Sequence, residues 1–161
     1  MLTLISRLPA DRREPGTLEA LGAAGIEAGP WRCYGKADTQ AAAEHGNLSR
    51  DPTRPFGDHP CGMYRLAAVH TFGEPSRTYG PAWISLEPLS GDAGQARING
   101  RYGLLIHGGA LRDGLLRPTH GCLRVDDSTV LELLDLWAVR AIGPGTVYRA
   151  ELQAPSGAKD G

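Results

Sequence analysis

Along MLTLISRL, Leu2 and Leu4 alternate with Thr3, and Ser6 falls on their face, the period of a strand with one side on a core, although Ile5 breaks the pattern. Residues 9–30 are punctuated by Pro9, Pro15, Gly16, Gly22, Gly25, Gly29 and Pro30. That spacing predicts turns, with a short helix over Thr17–Leu21 capped by Thr17. PWRCY predicts a strand ended by Gly35. KADTQAAAEHGN predicts a helix, with Asp38 or Thr39 as its cap and Gly46 as its stop. Pro52, Pro55 and Pro60 predict a long irregular loop through LSRDPTRPFGDHP.

Past Gly62 the pattern turns to period two. MYRLAAVHTF alternates loosely, and AWISLEPL sets Trp83, Ser85 and Glu87 against Ile84 and Leu86. YGLLIH is a continuous apolar run, as in a fully buried strand, and would deliver His107 to that strand's end. LRV at 123–125 predicts a further short strand. DDSTVLELLDLWAVR predicts a helix capped by Asp126 or Asp127, with Val130, Leu131, Leu134, Trp137 and Ala138 as its apolar stripe. GTVYRAEL reads as a closing strand, and residues 151–161 as a disordered tail. No internal repeat or domain boundary interrupts this. Residues 1–30 read as a strand- and turn-rich extension of the domain formed by 31–150.

Composition sharpens the picture. The 161 residues are enough for one domain with a core of its own. Twenty-two glycines and 12 prolines favour short strands and many turns over a helical bundle. A formal charge of −1 lacks the positive surplus that non-specific nucleic-acid or membrane-surface binding needs, so neither partner is expected. No apolar run approaches the roughly 20 residues of a bilayer span. MLTLISRLPADRREPG lacks the basic start, long apolar stretch and cleavage site of a secretory signal, so the chain is expected to stay in the cytosol or to leave by another route. Three cysteines form no disulfide framework, although a Cys33–Cys61 bridge is open.

The chemistry gathers in IHGGALRDGLLRPTHGCLRV, which holds His107, His120 and Cys122 among four glycines. Three readings are open. A thiol needs a base to raise its thiolate fraction, and an imidazole can take that proton and return it to a leaving amine. Gly121 would let the backbone turn so that the Gly121 and Cys122 N–H groups face a developing oxyanion. His107 comes back beside Cys122 if residues 108–119 form an excursion loop. Zinc is the second reading, with His107, His120 and Cys122 as ligands, but neighbouring ligands in HGC would crowd a tetrahedral site. In the third, the residues are incidental and Cys122 is a small buried hydrophobe.

IHGG followed by THGCLR resembles the signature of the L,D-transpeptidase catalytic domain, the YkuD-type family. His107-Gly108 and Thr119-His120-Gly121-Cys122-Leu123-Arg124 match in order and identity, and Pro60, Gly62 and Tyr64 of HPCGMY give a weaker upstream echo. The resemblance covers about residues 31–150. It implies a mostly β, sandwich-like fold with one or two short helices, and no cofactor or metal. It implies that Cys122 is the nucleophile and His107 its base, oriented by the Gly108 carbonyl. Gly121 and Cys122 N–H groups, with that of His120, would form the oxyanion hole. Arg124 and Thr119 would support the motif or meet substrate. Tyr79, Trp83 and Tyr102 are candidate substrate aromatics for which core packing is the simpler role. His59 stands where the family has Thr, and the His-to-Cys loop is shorter than in many members.

The implied substrate is the peptidoglycan stem tetrapeptide. Cys122 would attack the carbonyl at the L-centre of the third residue and expel terminal D-alanine. The thioester would pass to an amine (transpeptidase) or to water (L,D-carboxypeptidase). With no export signal read, three settings are open. They are an antibacterial effector carried by a secretion apparatus into a rival's periplasm, with an immunity protein as partner; a cytosolic enzyme trimming recycled muropeptides; and a chain from which the signal has been removed. The non-enzyme alternative is an inactive domain of the same fold that binds wall peptides or a partner.

Overall fold

The computed structural model describes residues 1–154. Eight strands close into a barrel: β1 (Thr3–Leu8), β2 (Gly16–Gly22), β3 (Gly25–Tyr34), β4 (Gly62–Ser76), β5 (Gly80–Ser90), β6 (Leu105–His107), β7 (Leu123–Val125) and β8 (Val147–Leu152). Their order around the barrel is β1-β2-β3-β7-β6-β5-β4-β8. Closure comes from β8, antiparallel to β4 on one side and parallel to β1 on the other. Among the described residues three helices, α1 (Thr39–Glu44), α2 (Gly91–Ile98) and α3 (Asp127–Ala138), lie between strands. The mostly β architecture is the one expected. It has one helix more than the one or two expected, because GDAGQARI follows β5 as a short α2 with buried Ala93 and Ala96.

The interior follows the period-two rule stave by stave. Leu4 and Leu8, Leu18 and Ala20, Tyr64 and Leu66, Ala82, Ile84 and Leu86, Ile106, Leu123 and Val125, and Tyr148 and Ala150 form one buried cluster. Ser6 shares the inner face of β1 because its hydroxyl meets the Tyr148 hydroxyl at 2.6 Å, so the polar group is not left unpaired.

Four expectations need correction. Thr17–Leu21 is strand β2, not helix. Five residues cannot nucleate a stable helix alone, whereas β1 and β3 supply ladders on both sides. YGLLIH is strand only over Leu105–His107, and Tyr102 ahead of it is 84 % exposed. The stripe of α3 runs through Val130, Leu133, Leu134 and Trp137, the i, i+3, i+4, i+7 set, and leaves Leu131 mostly exposed. The closing strand runs to Leu152, beyond the expected start of the tail at 151, because β1 continues to pair with it and Gln153 N–H donates to Leu8 O. Residues 155–161 of that tail lie outside the described residues. The helix over KADTQAAAEHGN forms as expected, with Asp38 Oδ1 accepting from Ala41 N–H at 2.8 Å.

The feature that positions chemistry is the parallel pair β6–β7. Parallel neighbours need a long connection, and residues 108–122 provide it without a helix. In register, Ile106 faces Leu123 and His107 faces Arg124. Ile106 and Leu123 point into the barrel, so the pleat turns Leu105, His107, Cys122 and Arg124 to the opposite face.

Candidate active site

On that face lies a cleft of about 620 Å³. Cys122, His107, Arg124, Thr119, His120 and Tyr102 line it together with Phe56, Tyr79, Arg101 and Arg117. Trp83 does not. It pairs with His107 across β5–β6 and reaches the imidazole only through Tyr79, whose ring meets Trp83 at 4.9 Å and His107 at 5.0 Å, both edge to face. Tyr102 is no core residue either and stands exposed at the mouth.

The histidine is buried and held by a backbone carbonyl. His107 is 2 % exposed, and its Nδ1 lies 2.7 Å from the Gly108 carbonyl. A carbonyl only accepts, so Nδ1 carries the proton and Nε2 keeps its lone pair. Gly108 O also accepts from Arg124 Nη1 at 2.5 Å, while Gly109 N–H donates to Asp127 Oδ1 at 2.8 Å. Arg124 therefore fixes the carbonyl that fixes the imidazole. Its Nη1 also reaches Thr78 O at 3.2 Å, whereas its buried Nε has no partner among the described residues.

The nucleophile candidate is half-buried at the start of β7. Burial pushes the Cys122 thiol up to about 11, against the Leu105 backbone N–H and the charges of Arg101 and Arg124, which hold it down. Burial also pushes His107 down to about 4, with Arg124 adding in the same direction. The resting pair is thus a neutral thiol and a neutral imidazole. Any proton transfer between them must be coupled to attack on a substrate.

The expected oxyanion donors are unequal. Gly121 N–H is donated to Thr119 Oγ1 at 2.9 Å, and Thr119 Oγ1 donates to Cys122 O at 3.0 Å. Thr119 thereby knots the turn and takes the Gly121 donor. The N–H groups of His120 and Cys122 donate to no described residue. The metal reading has no support in the geometry: among the described residues no three His, Cys, Asp or Glu side chains gather as ligands. All three cysteines are free, so the Cys33–Cys61 bridge is not formed.

No family model matches the chain, and no curated protein matches it in sequence. Solved structures do. Bd1075 of Bdellovibrio bacteriovorus aligns at a TM-score of 0.58 with 14% identity, covering 92% of this chain and 46% of that one. The helical cell shape determining protein Pgp2 of Campylobacter jejuni aligns at 0.54 with 16% identity, over 96% and 49%. Ldtfm, in its avibactam carbamoyl enzyme, aligns at 0.53 with 10% identity, over 95% and 49%. The fold is L,D-transpeptidase-like. The chain spans about half the length of these structures.

Two residues of this L,D-transpeptidase-like barrel escape sequence reasoning. Arg101, buried just ahead of Tyr102, donates to Pro52 O, Gly57 O and Asp58 O at 2.6–2.9 Å and lies 3.4 Å from His120 O. It ties the proline-rich loop to the THGC turn. Nothing in NGRYG distinguishes it from a surface arginine. The same loop presents Phe56 to the cleft at φ 65°, stacked on His45 with ring centroids 3.7 Å apart. An aromatic residue in the left-handed region is costly and marks a constrained position. His59 is the other residue. HPCGMY marks it only by contrast with the Thr of the family pattern it resembles, yet the ring is fully buried against Gly121.

These two buried histidines set an acid limit on stability. Burial holds His59 at about 3 and His107 at about 4 in the native state, while the unfolded chain titrates both near 6.5. Between those values the unfolded chain binds more protons, so stability is complete above pH 6.5 and falls as pH drops toward 4. Urea unfolding at pH 7, 6, 5 and 4 is expected to show a falling midpoint, approaching about 1.4 kcal/mol per unit for each histidine. A flat profile would exclude neutral burial of both rings.

Proposed function

We propose that this cleft performs cysteine-dependent acyl transfer on peptidoglycan stem peptides. The observation that carries the reading is His107, locked by the Gly108 carbonyl with Nε2 unpaired, on the same cleft face as Cys122. The fold neighbours favour the same chemistry. One forms a carbamoyl enzyme with avibactam, and another determines helical cell shape.

In the proposed step the Cys122 proton passes to His107 Nε2 as Sγ bonds to the substrate carbonyl carbon. The carbonyl π pair moves onto oxygen, where the Cys122 and His120 N–H groups are the open donors. Collapse breaks the C–N bond and expels the amine of terminal D-alanine, which takes the proton from His107. The thioester then passes to an amine or to water. Arg117 and Arg124 line the cleft and supply positive charge for a substrate carboxylate. As an effector, the chain would act in a rival's periplasm with an immunity protein as its partner.

Intact-mass analysis after incubation with avibactam tests the chemistry, beside Cys122→Ala and beside a stem tetrapeptide assayed for D-alanine release. One adduct absent from the variant, with D-alanine released, is the expected result. No adduct and no release, with Cys122 also slow toward iodoacetamide, would overturn the enzyme reading in favour of a wall-peptide or partner-binding domain.

A further inference from the structure

A polar chain runs beneath the motif and is not used by the chemistry above. His59 Nδ1 lies 2.9 Å from the Gly121 carbonyl oxygen, and its Nε2 lies 3.0 Å from the Tyr148 hydroxyl. That hydroxyl meets Ser6 Oγ at 2.6 Å. All three side chains are fully buried. Valence fixes the directions. Gly121 O only accepts, so Nδ1–H donates to it. Burial keeps the ring neutral, so Nε2 accepts from Tyr148 O–H, and the Tyr148 oxygen accepts from Ser6. The bonds run one way, from Ser6 through Tyr148 and His59 to Gly121.

The end of that chain is the peptide before the nucleophile. Among the described residues the cis peptide is Gly29–Pro30, so Gly121–Cys122 is trans, and its C=O and N–H point in opposite directions. Drawing the Gly121 carbonyl toward His59 in the interior aims the Cys122 N–H the other way, at the side where Cys122 lines the cleft. The Gly121 N–H is committed to Thr119 and cannot take its place. Donation to the carbonyl also polarises the amide, and bonds aligned in one direction strengthen one another.

We infer that His59 is a positioning residue for the oxyanion hole, holding the Gly121 carbonyl so that the Cys122 N–H faces the oxygen of the carbonyl under attack. This rests on the acyl-transfer reading. It makes a distinction that a purely structural role does not. Carbamoylation by avibactam forms the Sγ–C bond, places a pair of electrons on a carbonyl oxygen and expels a ring nitrogen that takes up a proton. Alkylation by iodoacetamide forms an Sγ–C bond and expels iodide, with no oxyanion. Only the first needs the aimed N–H.

The test follows both reactions by time-resolved intact mass on the full chain, for the unsubstituted protein, His59→Gln, His59→Asn and Tyr148→Phe. An Asn amide nitrogen falls near the place of Nδ1, whereas a Gln amide falls near Nε2. His59→Gln is expected to lose at least about tenfold in carbamoylation rate at saturating avibactam, with half-saturation and alkylation changed by less than about twofold. His59→Asn should recover most of that rate. Tyr148→Phe keeps the ring but cuts the relay, so it should lose less than His59→Gln and again spare alkylation. Equal losses in Asn and Gln, or parallel losses in both reactions, would overturn the inference. An unsubstituted protein that iodoacetamide alkylates but neither avibactam nor stem tetrapeptide acylates would overturn the acyl-transfer reading instead.

Discussion

Replacing His107 by Ala is expected to lower acylation of Cys122 by about 10²–10⁴, the range for losing a positioned general base. The reason is the resting state of the pair. With the thiol pushed up to about 11 and the imidazole down to about 4, only a very small thiolate fraction exists near neutrality for the variant to fall back on. Acylation therefore depends on moving the proton during attack, and only Nε2 of His107 is presented for that, its Nδ1 being spent on Gly108. Alkylation by iodoacetamide, which draws on the small thiolate fraction at any pH, should change by less than about tenfold. Its rate should climb steadily with pH, with no plateau near neutrality, in both proteins. Measuring both reactions from pH 6 to 9 checks the assignment. A plateau in the unsubstituted protein would mean a stable ion pair and would remove the argument for coupled transfer. An unchanged acylation rate in the variant would remove His107 from the chemistry.

How much of this was legible in the sequence depends on the range over which each signal acts. Period two is local, so the strands around Leu4, Ile84 and Leu123 could be read off, and so could the Asp38 cap. Thr17–Leu21 misled because helix and strand signals are weak over five residues, and the deciding partners, β1 and β3, lie elsewhere in the chain. Closure of the sheet is a property of eight strands together. No single segment carries it. At the site, His107, Gly108, Thr119 and Cys122 were legible because the motif is contiguous on each side of one loop. The place of Trp83 was illegible because sequence does not show that Tyr79 stands between it and the imidazole. Arg101 and His59 were illegible because their meaning is a set of carbonyls: Pro52, Gly57 and Asp58 for one and Gly121 for the other. Carbonyls have no side-chain identity, so sequence cannot point to them.

Gly121→Ala is expected to be the most destabilising single methyl in the motif. Gly121 sits at φ 112°, in the region that side chains avoid, and a Cβ there would overlap Arg101 Nη2 and the Gly57 carbonyl oxygen. The guanidinium cannot step aside, since its nitrogens are held by Pro52 O, Gly57 O and Asp58 O. Backbone strain and overpacking each contribute about 1–3 kcal/mol, which together predict a loss of about 3–5 kcal/mol. Gly114→Ala is the matched comparison. Gly114 also has positive φ, 74°, but a Cβ there meets nothing, so strain alone applies and about 1 kcal/mol should be lost. Urea unfolding of both variants separates the two contributions. If Gly121→Ala unfolds at the same midpoint as Gly114→Ala, the loop carrying Gly57 yields freely and Arg101 is not the rigid tie that its hydrogen bonds imply. If it is much less stable, the glycine of THGC is required for a reason distinct from catalysis. It is the residue that lets the THGC turn pass between a buried arginine and the backbone that arginine holds.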